Sequence, residues 1–158
     1  MIRIVCIGKI KENAMTALID EYLKRINGFM KITVEELAES KIKDDSSEAM
    51  IEKIKHDESQ RILSKLSASD KVIALDIQGK QLDSTDFSKQ VIEACDTTRK
   101  DVVFIIGGSY GYTDEVRSRA DYRVSFSMMT FPHQLMRLIL AEQLYRALMI
   151  SGNRSYHK

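Results

Sequence analysis

The chain lacks several features that would each settle its class at once. Its 24 basic and 23 acidic side chains leave a formal net charge of +1, which argues against a free-standing nucleic-acid binder held by a bulk positive field. Its two cysteines, Cys6 and Cys95, form no CxxC pair and have no partner ligand at metal spacing, which argues against a disulfide framework and against a zinc site. Cys6 lies in an apolar run and is expected to be buried and inert. No stretch reaches the roughly 18 uninterrupted apolar residues of a membrane span. The start, MIRIVCIGKIKE, has neither the length nor the small-residue cleavage site of a signal peptide and reads as a first strand. Cytoplasmic residence, with no membrane partner, follows as the default. There is no repeat, no low-complexity tract and no proline-rich linker, so the 158 residues are expected to form one domain over 1–158.

What is present is alternation. IRIVCIG (2–8) is β-branched and ends in glycine, a buried strand. Met15, Leu18, Ile19, Tyr22, Leu23 and Ile26 then recur at helical spacing, until Asn27-Gly28 stops the helix. KITVEEL (31–37) is a second strand. Ser46-Ser47 can cap a charged helix that runs to about Leu66, with Ile51, Ile54, Ile62, Leu63 and Leu66 inward. KVIALDI (71–77) is a third strand, followed by a turn at Gln78-Gly79-Lys80. Asp83 or Ser84 starts a helix through Phe87, Val91 and Ile92. DVVFIIGG (101–108) is a fourth strand, Thr113 caps a short helix, and residues 122–127 form a fifth strand. Pro132, at a first helical position, opens the last helix. Strand–helix alternation of this kind specifies an α/β domain with a mainly parallel sheet and helices on both faces.

The last helix carries more apolar surface than one sheet can bury. Leu135, Met136, Leu138, Ile139, Leu140, Leu144, Tyr145, Leu148 and Met149 cover well over half its circumference. Either it is a central helix or its excess face meets another chain, and in so small a domain a homodimer is the favoured reading. Charge is also uneven. Residues 44–58 hold six acids against Lys53 and Lys55, whereas 132–158 hold Arg137, Arg146, Arg154 and Lys158 against Glu142 alone. An anionic partner should therefore meet the C-terminal end.

The familiar nucleotide signatures fail. Residues 107–111, GGSYG, are not GxGxxG, and no acid lies at ribose distance after them. Gly79-Lys80 is not a P-loop, because Gln81 replaces the hydroxyl residue and Ala74 stands where the first glycine belongs. Bare backbone at the carboxyl end of a buried strand is nonetheless where open α/β sheets bind ligands. On pattern alone, a tight turn and a ligand site are equally good readings of Gly107-Gly108. His133, in a first helical turn, reads as a surface or capping residue, and His56 as solvated. Met128 and Met129 read as packing. Glu142 and Arg146, spaced i,i+4 on an apolar helix, must satisfy each other or a ligand. Arg137, one turn earlier, extends that polar strip. There is no nucleophile elbow, no HExxH and no paired-carboxylate cleft.

LDIQGK (75–80), FIIGGSYG (104–111), SFSMMTFPHQLMRLILAEQLYRA (125–147) and the terminal YHK (156–158), in this order and spacing over the whole chain, resemble the ribosomal RNA large-subunit methyltransferase H family of small SPOUT enzymes. The resemblance implies an α/β fold with a C-terminal trefoil knot and a homodimer. It implies S-adenosyl-L-methionine as cofactor and no metal. The reaction would be methylation of N3 of a pseudouridine in 23S ribosomal RNA of the assembled ribosome. Cofactor contacts would fall at Leu75, at Gly107 with Gly108 beside it, and along Phe126, Ser127, Met128, Met129, Thr130 and Phe131. Tyr156 and His157 would position the base or assist loss of its proton. Arg146, oriented by Glu142, would stabilise the developing anionic carbonyl, and Arg154, Lys158 and Arg137 would serve RNA.

Overall fold

A computed structural model describes residues 1–41 and 47–152. Five strands form one sheet in the order β2-β1-β4-β3-β5, with every neighbouring pair parallel. These are β1 (Ile2–Ile7), β2 (Ile32–Leu37), β3 (Lys71–Gln81), β4 (Val102–Ile106) and β5 (Tyr122–Ser125). The helices are α1 (Asn13–Asn27), α2 (Glu48–Leu63), α3 (Ser84–Thr97), α4 (Asp114–Arg119) and α5 (His133–Ser151). A parallel strand needs cover on both faces, and the side-chain period of two supplies it. Ile2, Ile4 and Cys6 of β1 join Phe104 of β4, with α1, α3 and α5, in one core cluster. Val5 and Ile7 join Val103 and Ile105, with α2 and α4, in the other. The layered α/β architecture read from the alternation is the one observed. Cys6 is fully buried, and burial pushes its thiol up to about 12, which keeps it protonated and unreactive.

The structure departs from the sequence reading at three places that matter for the site. Residues 78–80 do not turn. β3 continues through them and resumes pairing with β5 after a register shift, so that Leu75 and Lys80 both face Val124. Gly79 makes this bulge possible, because a Cβ there would lie 2.7 Å from the Arg123 carbonyl carbon and the Val124 nitrogen. Pro132 is the cap of α5, with extended backbone (ψ 136°), rather than its first helical residue. The charged helix α2 does not bury apolar residues alone: Glu58 and Ser59 are buried beside Ile54 and Ile62. Its cap is Ser47, whose hydroxyl accepts from the Met50 N–H at 3.3 Å; Ser46 lies outside the described residues.

α5 is the central helix of its layer, packed against α1 and α3 with Leu140, Ala141, Leu144, Ala147 and Met149 buried. Leu135, Leu138, Ile139 and Tyr145 stay only half-covered. Arg137 corrects the sequence reading. It is 2% exposed and among the largest fully buried side chains. Its Nη2 donates to the carbonyls of Ile7 (3.1 Å) and Gly8 (2.6 Å), and its Nη1 donates to Glu36 at 2.6 Å. A guanidinium so enclosed cannot reach RNA phosphate. It neither extends the Glu142–Arg146 strip nor faces the same way; it ties the start of α5 to the end of β1. Gln134 adds a bond from its amide to the Lys9 carbonyl at 3.3 Å. Replacing Arg137 by Leu strands two carbonyls and a carboxylate, a loss of about 3 kcal/mol or more. Thermal unfolding of Arg137→Leu should therefore fall by roughly 6–12 °C; a fall of under about 2 °C would show that the bonds are dispensable.

Candidate functional site

A cavity of about 710 Å³ opens where β4 ends, within the size range of small-molecule sites. Its walls come from three segments. One is the β3 bulge (Leu75, Asp76, Ile77, Gln78), the second is the glycine loop 107–112, and the third is the stretch from Val124 through Phe131 into Pro132, His133 and Met136. The sequence-predicted cofactor residues converge here: Leu75, Gly107, Gly108, Phe126, Ser127, Met129, Thr130 and Phe131 all line it. Met128 does not, and its side chain is 83% exposed. Met129 is 71% exposed, so neither methionine is the packing residue expected of it. In residues 126–131 the chain is held by local bonds: the Ser125 hydroxyl donates to the Ser127 carbonyl at 2.9 Å, and the Ser127 hydroxyl accepts from the Met129 N–H at 2.9 Å.

The glycine loop is shaped from beneath by residues that the sequence reading did not single out. Tyr112 is buried, and its hydroxyl donates to the Ile105 carbonyl (2.7 Å) while accepting from the Gly107 N–H (2.9 Å). Burial pushes this phenol well above its ordinary range, so it stays a proton donor. A Cβ at Gly107 would lie 3.0 Å from the Tyr112 ring, and one at Gly108 would lie 2.4 Å from Glu58 Oε2. Backbone can therefore form the cavity wall here only without side chains. Glu58 is 2% exposed. Its Oε1 accepts from the Ser40 N–H at 2.9 Å, and its buried Oε2 has no partner among the described residues. Burial raises its pKa, an effect that the Ser40 bond partly opposes. The only sequence signal for it was a charged residue within the apolar stripe of α2.

His133 is half-buried at the cavity edge rather than a free surface residue. Its Nε2 is enclosed beside Gly8, which adopts a left-handed φ of +83° and whose Cβ, if present, would lie 3.0 Å from that nitrogen. His56 is exposed, as read. Glu142 and Arg146 do pair, with Nε of Arg146 donating to Glu142 at 3.0 Å. Neither lines the cavity. Arg146 lies ten residues beyond Met136 on α5, about 15 Å along the helix axis, so one chain does not bring the pair to its own cavity. Arg154, Tyr156, His157 and Lys158 lie outside the described residues. Among the described residues no cluster of His, Cys, Asp or Glu is arranged to hold a metal ion, and no helix is long and apolar enough to cross a membrane.

A parallel sheet with a cavity at strand carboxyl ends, walled by glycine backbone and an extended pre-helical segment, suits a methyltransferase of the SPOUT class. The chain matches the family described as "Predicted SPOUT methyltransferase" over residues 1–157 and belongs to it. The particular relatives are specific. It is 45% identical over 157 residues to the ribosomal RNA large subunit methyltransferase H of Lactobacillus acidophilus, covering 99% of each chain. It is 46% identical to that of Streptococcus thermophilus, again over 99% of each chain. Among solved structures, a probable methylase family protein from Haemophilus influenzae superposes with a TM-score of 0.54 at 16% identity, covering 99% of this chain and 70% of that one. At that identity the likeness concerns the fold alone.

The raised pKa of Glu58 has a consequence for stability. An acid whose folded-state pKa lies above its unfolded value contributes stability at low pH that is lost as pH rises through the folded value. Glu58→Gln keeps the shape without the ionisation. Relative to the wild type, its melting temperature should rise by a margin that grows as pH increases above the ordinary carboxylate range. A margin independent of pH would show that Glu58 is not the group responsible.

Proposed function

We propose that the protein transfers a methyl group from S-adenosyl-L-methionine to large-subunit ribosomal RNA, at N3 of a pseudouridine in the assembled ribosome. The observation that carries this reading is the convergence of Leu75, Gly107, Gly108, Phe126, Ser127, Met129, Thr130 and Phe131 on one cavity, in a chain 45% identical over its length to a ribosomal RNA large subunit methyltransferase H. The cavity suits the cofactor on chemical grounds. It offers backbone donors and acceptors together with apolar walls, and the two glycines let that backbone pack directly on Tyr112 and Glu58 behind it, where a Cβ would clash. Met128 would contribute through its main chain only, since its side chain points away. When bound, the cofactor supplies a methyl group already activated by its sulfonium, so a metal has no step to assist.

The chain's own residues would hold the base in line and manage its proton. N3 is an imide nitrogen, and its proton has to leave as the N–C bond forms. Tyr156 and His157 position the ring and receive or relay that proton. Arg146, oriented by Glu142, faces the carbonyl on which negative charge develops. Arg154 and Lys158 hold phosphate. The 15 Å offset between Arg146 and the cavity on the same chain supports a composite site in a homodimer, in which one copy's α5 and tail serve the other's cavity. The half-covered face of α5, at Leu135, Leu138 and Ile139, is the surface such a dimer would bury, and the trefoil knot of the family fold belongs to the same reading. A cytoplasmic location follows from the substrate.

The test is transfer of labelled methyl to ribosomes that lack the modification, beside free 23S RNA, with the full chain and with a chain ending at Gly152. Label should appear on a pseudouridine of ribosomal 23S RNA with the full chain and be lost with the shortened one, while calorimetry finds cofactor binding in both. Label on transfer RNA in place of ribosomes, or full-rate transfer by the shortened chain, would contradict the assignment.

A further inference from the structure

The β3 bulge carries a charged group in the cavity wall to which the methyl-transfer chemistry gives no role. Asp76 follows Leu75 at the cavity, and its side chain is only 6% exposed. Its Oδ1 accepts from the Gln78 N–H at 3.1 Å, and its Oδ2 accepts from Arg117 Nε at 3.0 Å. Those two bonds satisfy the carboxylate. A second guanidinium nevertheless converges on it: Arg123 Nη1 stands 3.7 Å from the same Oδ2. The Arg123 side chain makes no hydrogen bond to any described residue, and it is 41% exposed. Arg117 also bonds Asp114, a carboxylate that is 98% exposed at the solvent end of α4. Arg123 sits on β5, the outermost strand, so nothing in the sheet covers it.

We propose that Arg123, which does not line the cavity but is held beside it by the lining residue Asp76 and flanked by Arg117, is a phosphodiester contact for the RNA substrate. The proposal rests on the ribosomal RNA reading above. A buried carboxylate that already has its hydrogen bonds restrains Arg123 by charge alone and leaves all five N–H donors of its guanidinium unspent. That planar fork matches two phosphate oxygens. A position just outside the cavity is the useful one, because a base entering the cavity leaves its own backbone outside it. Arg137, one of the three bases expected in this role beside Arg154 and Lys158, is sealed inside the fold, and Arg123 on β5 offers an exposed guanidinium next to the cavity instead. The low net charge of the protein fits a few placed phosphate contacts rather than a broad basic field.

The experiment measures binding to ribosomes lacking the modification over a range of salt, for the wild type, Arg123→Ala, Arg123→Glu and Arg123→Lys, with cofactor affinity and melting temperature measured alongside. Arg123→Ala should weaken ribosome binding about 3- to 10-fold and lower the slope of log affinity against log salt by about 0.7 to 0.9, the value for one phosphate. Arg123→Glu should weaken it further, and Arg123→Lys should keep most of the slope. Cofactor affinity should stay within about 2-fold throughout. Wild-type affinity and slope in both Arg123→Ala and Arg123→Glu would overturn the proposal and leave the enzymatic reading standing. Loss of cofactor binding in parallel with ribosome binding would also overturn it, since Arg123 would then act on the cavity through Asp76. A wild-type protein that binds cofactor but no ribosomal particle would remove the ribosomal RNA reading, and this contact with it.

Discussion

One hydroxyl group determines where the sheet stops and the site begins. The pairing of β4 with β1 and β3 ends at Ile106. The Gly107 N–H bonds instead to the Tyr112 hydroxyl, which in turn donates to the Ile105 carbonyl. The loop 107–112 is thereby folded back onto the strand it leaves. Gly107 and Gly108 face the cavity because Tyr112 and Glu58 occupy the space behind them. Burial keeps the phenol protonated, so the clamp does not loosen at physiological pH. The cost is a core that tolerates polar atoms, including a Glu58 oxygen with no partner among the described residues. An enclosed carboxyl oxygen of that kind is more readily held neutral than charged.

The opposite wall depends on α5. The cavity segment 126–131 has little regular structure of its own, and its position follows from the helix it feeds. Arg137 fastens that helix to the end of β1 through two carbonyls and Glu36, while Ser88 on α3 donates to the Ala147 carbonyl farther along it. The same residue type plays opposite parts on the two sides of the cavity. Arg137 is buried to fix geometry, and Arg123 is left outside with its donors open.

Most of the fold could be read from the sequence because its causes are local. Strands β1 and β4 are continuous β-branched runs, and α1 ends at Asn27-Gly28 as read. Leu75, Gly107 and residues 126–131 could be grouped from their resemblance to a known family, and all but Met128 line one cavity. What escaped the reading depends on tertiary contact. Gly79 looked like a turn because the backbone of Arg123 and Val124, which explains it, is more than forty residues away. Arg137 looked like a surface base because nothing local announces two unbonded carbonyls at Ile7 and Gly8. Tyr112 and Glu58 carry no motif, and only the folded chain puts them under the glycines. The distance of Arg146 from the cavity could not be foreseen either, because i,i+4 spacing records a pair and not what the pair faces.

The account stands on the claim that the glycine loop clamped by Tyr112 is a wall of the cofactor site. Calorimetric titration of S-adenosyl-L-methionine into Tyr112→Phe tests it most directly. The ring and its packing remain, and only the hydroxyl that links Ile105 to Gly107 is removed, a loss of about 1–3 kcal/mol for the groups left unbonded. If the clamp shapes the site, cofactor affinity should fall about tenfold or more while the protein stays folded. Wild-type affinity in the folded variant would contradict the account.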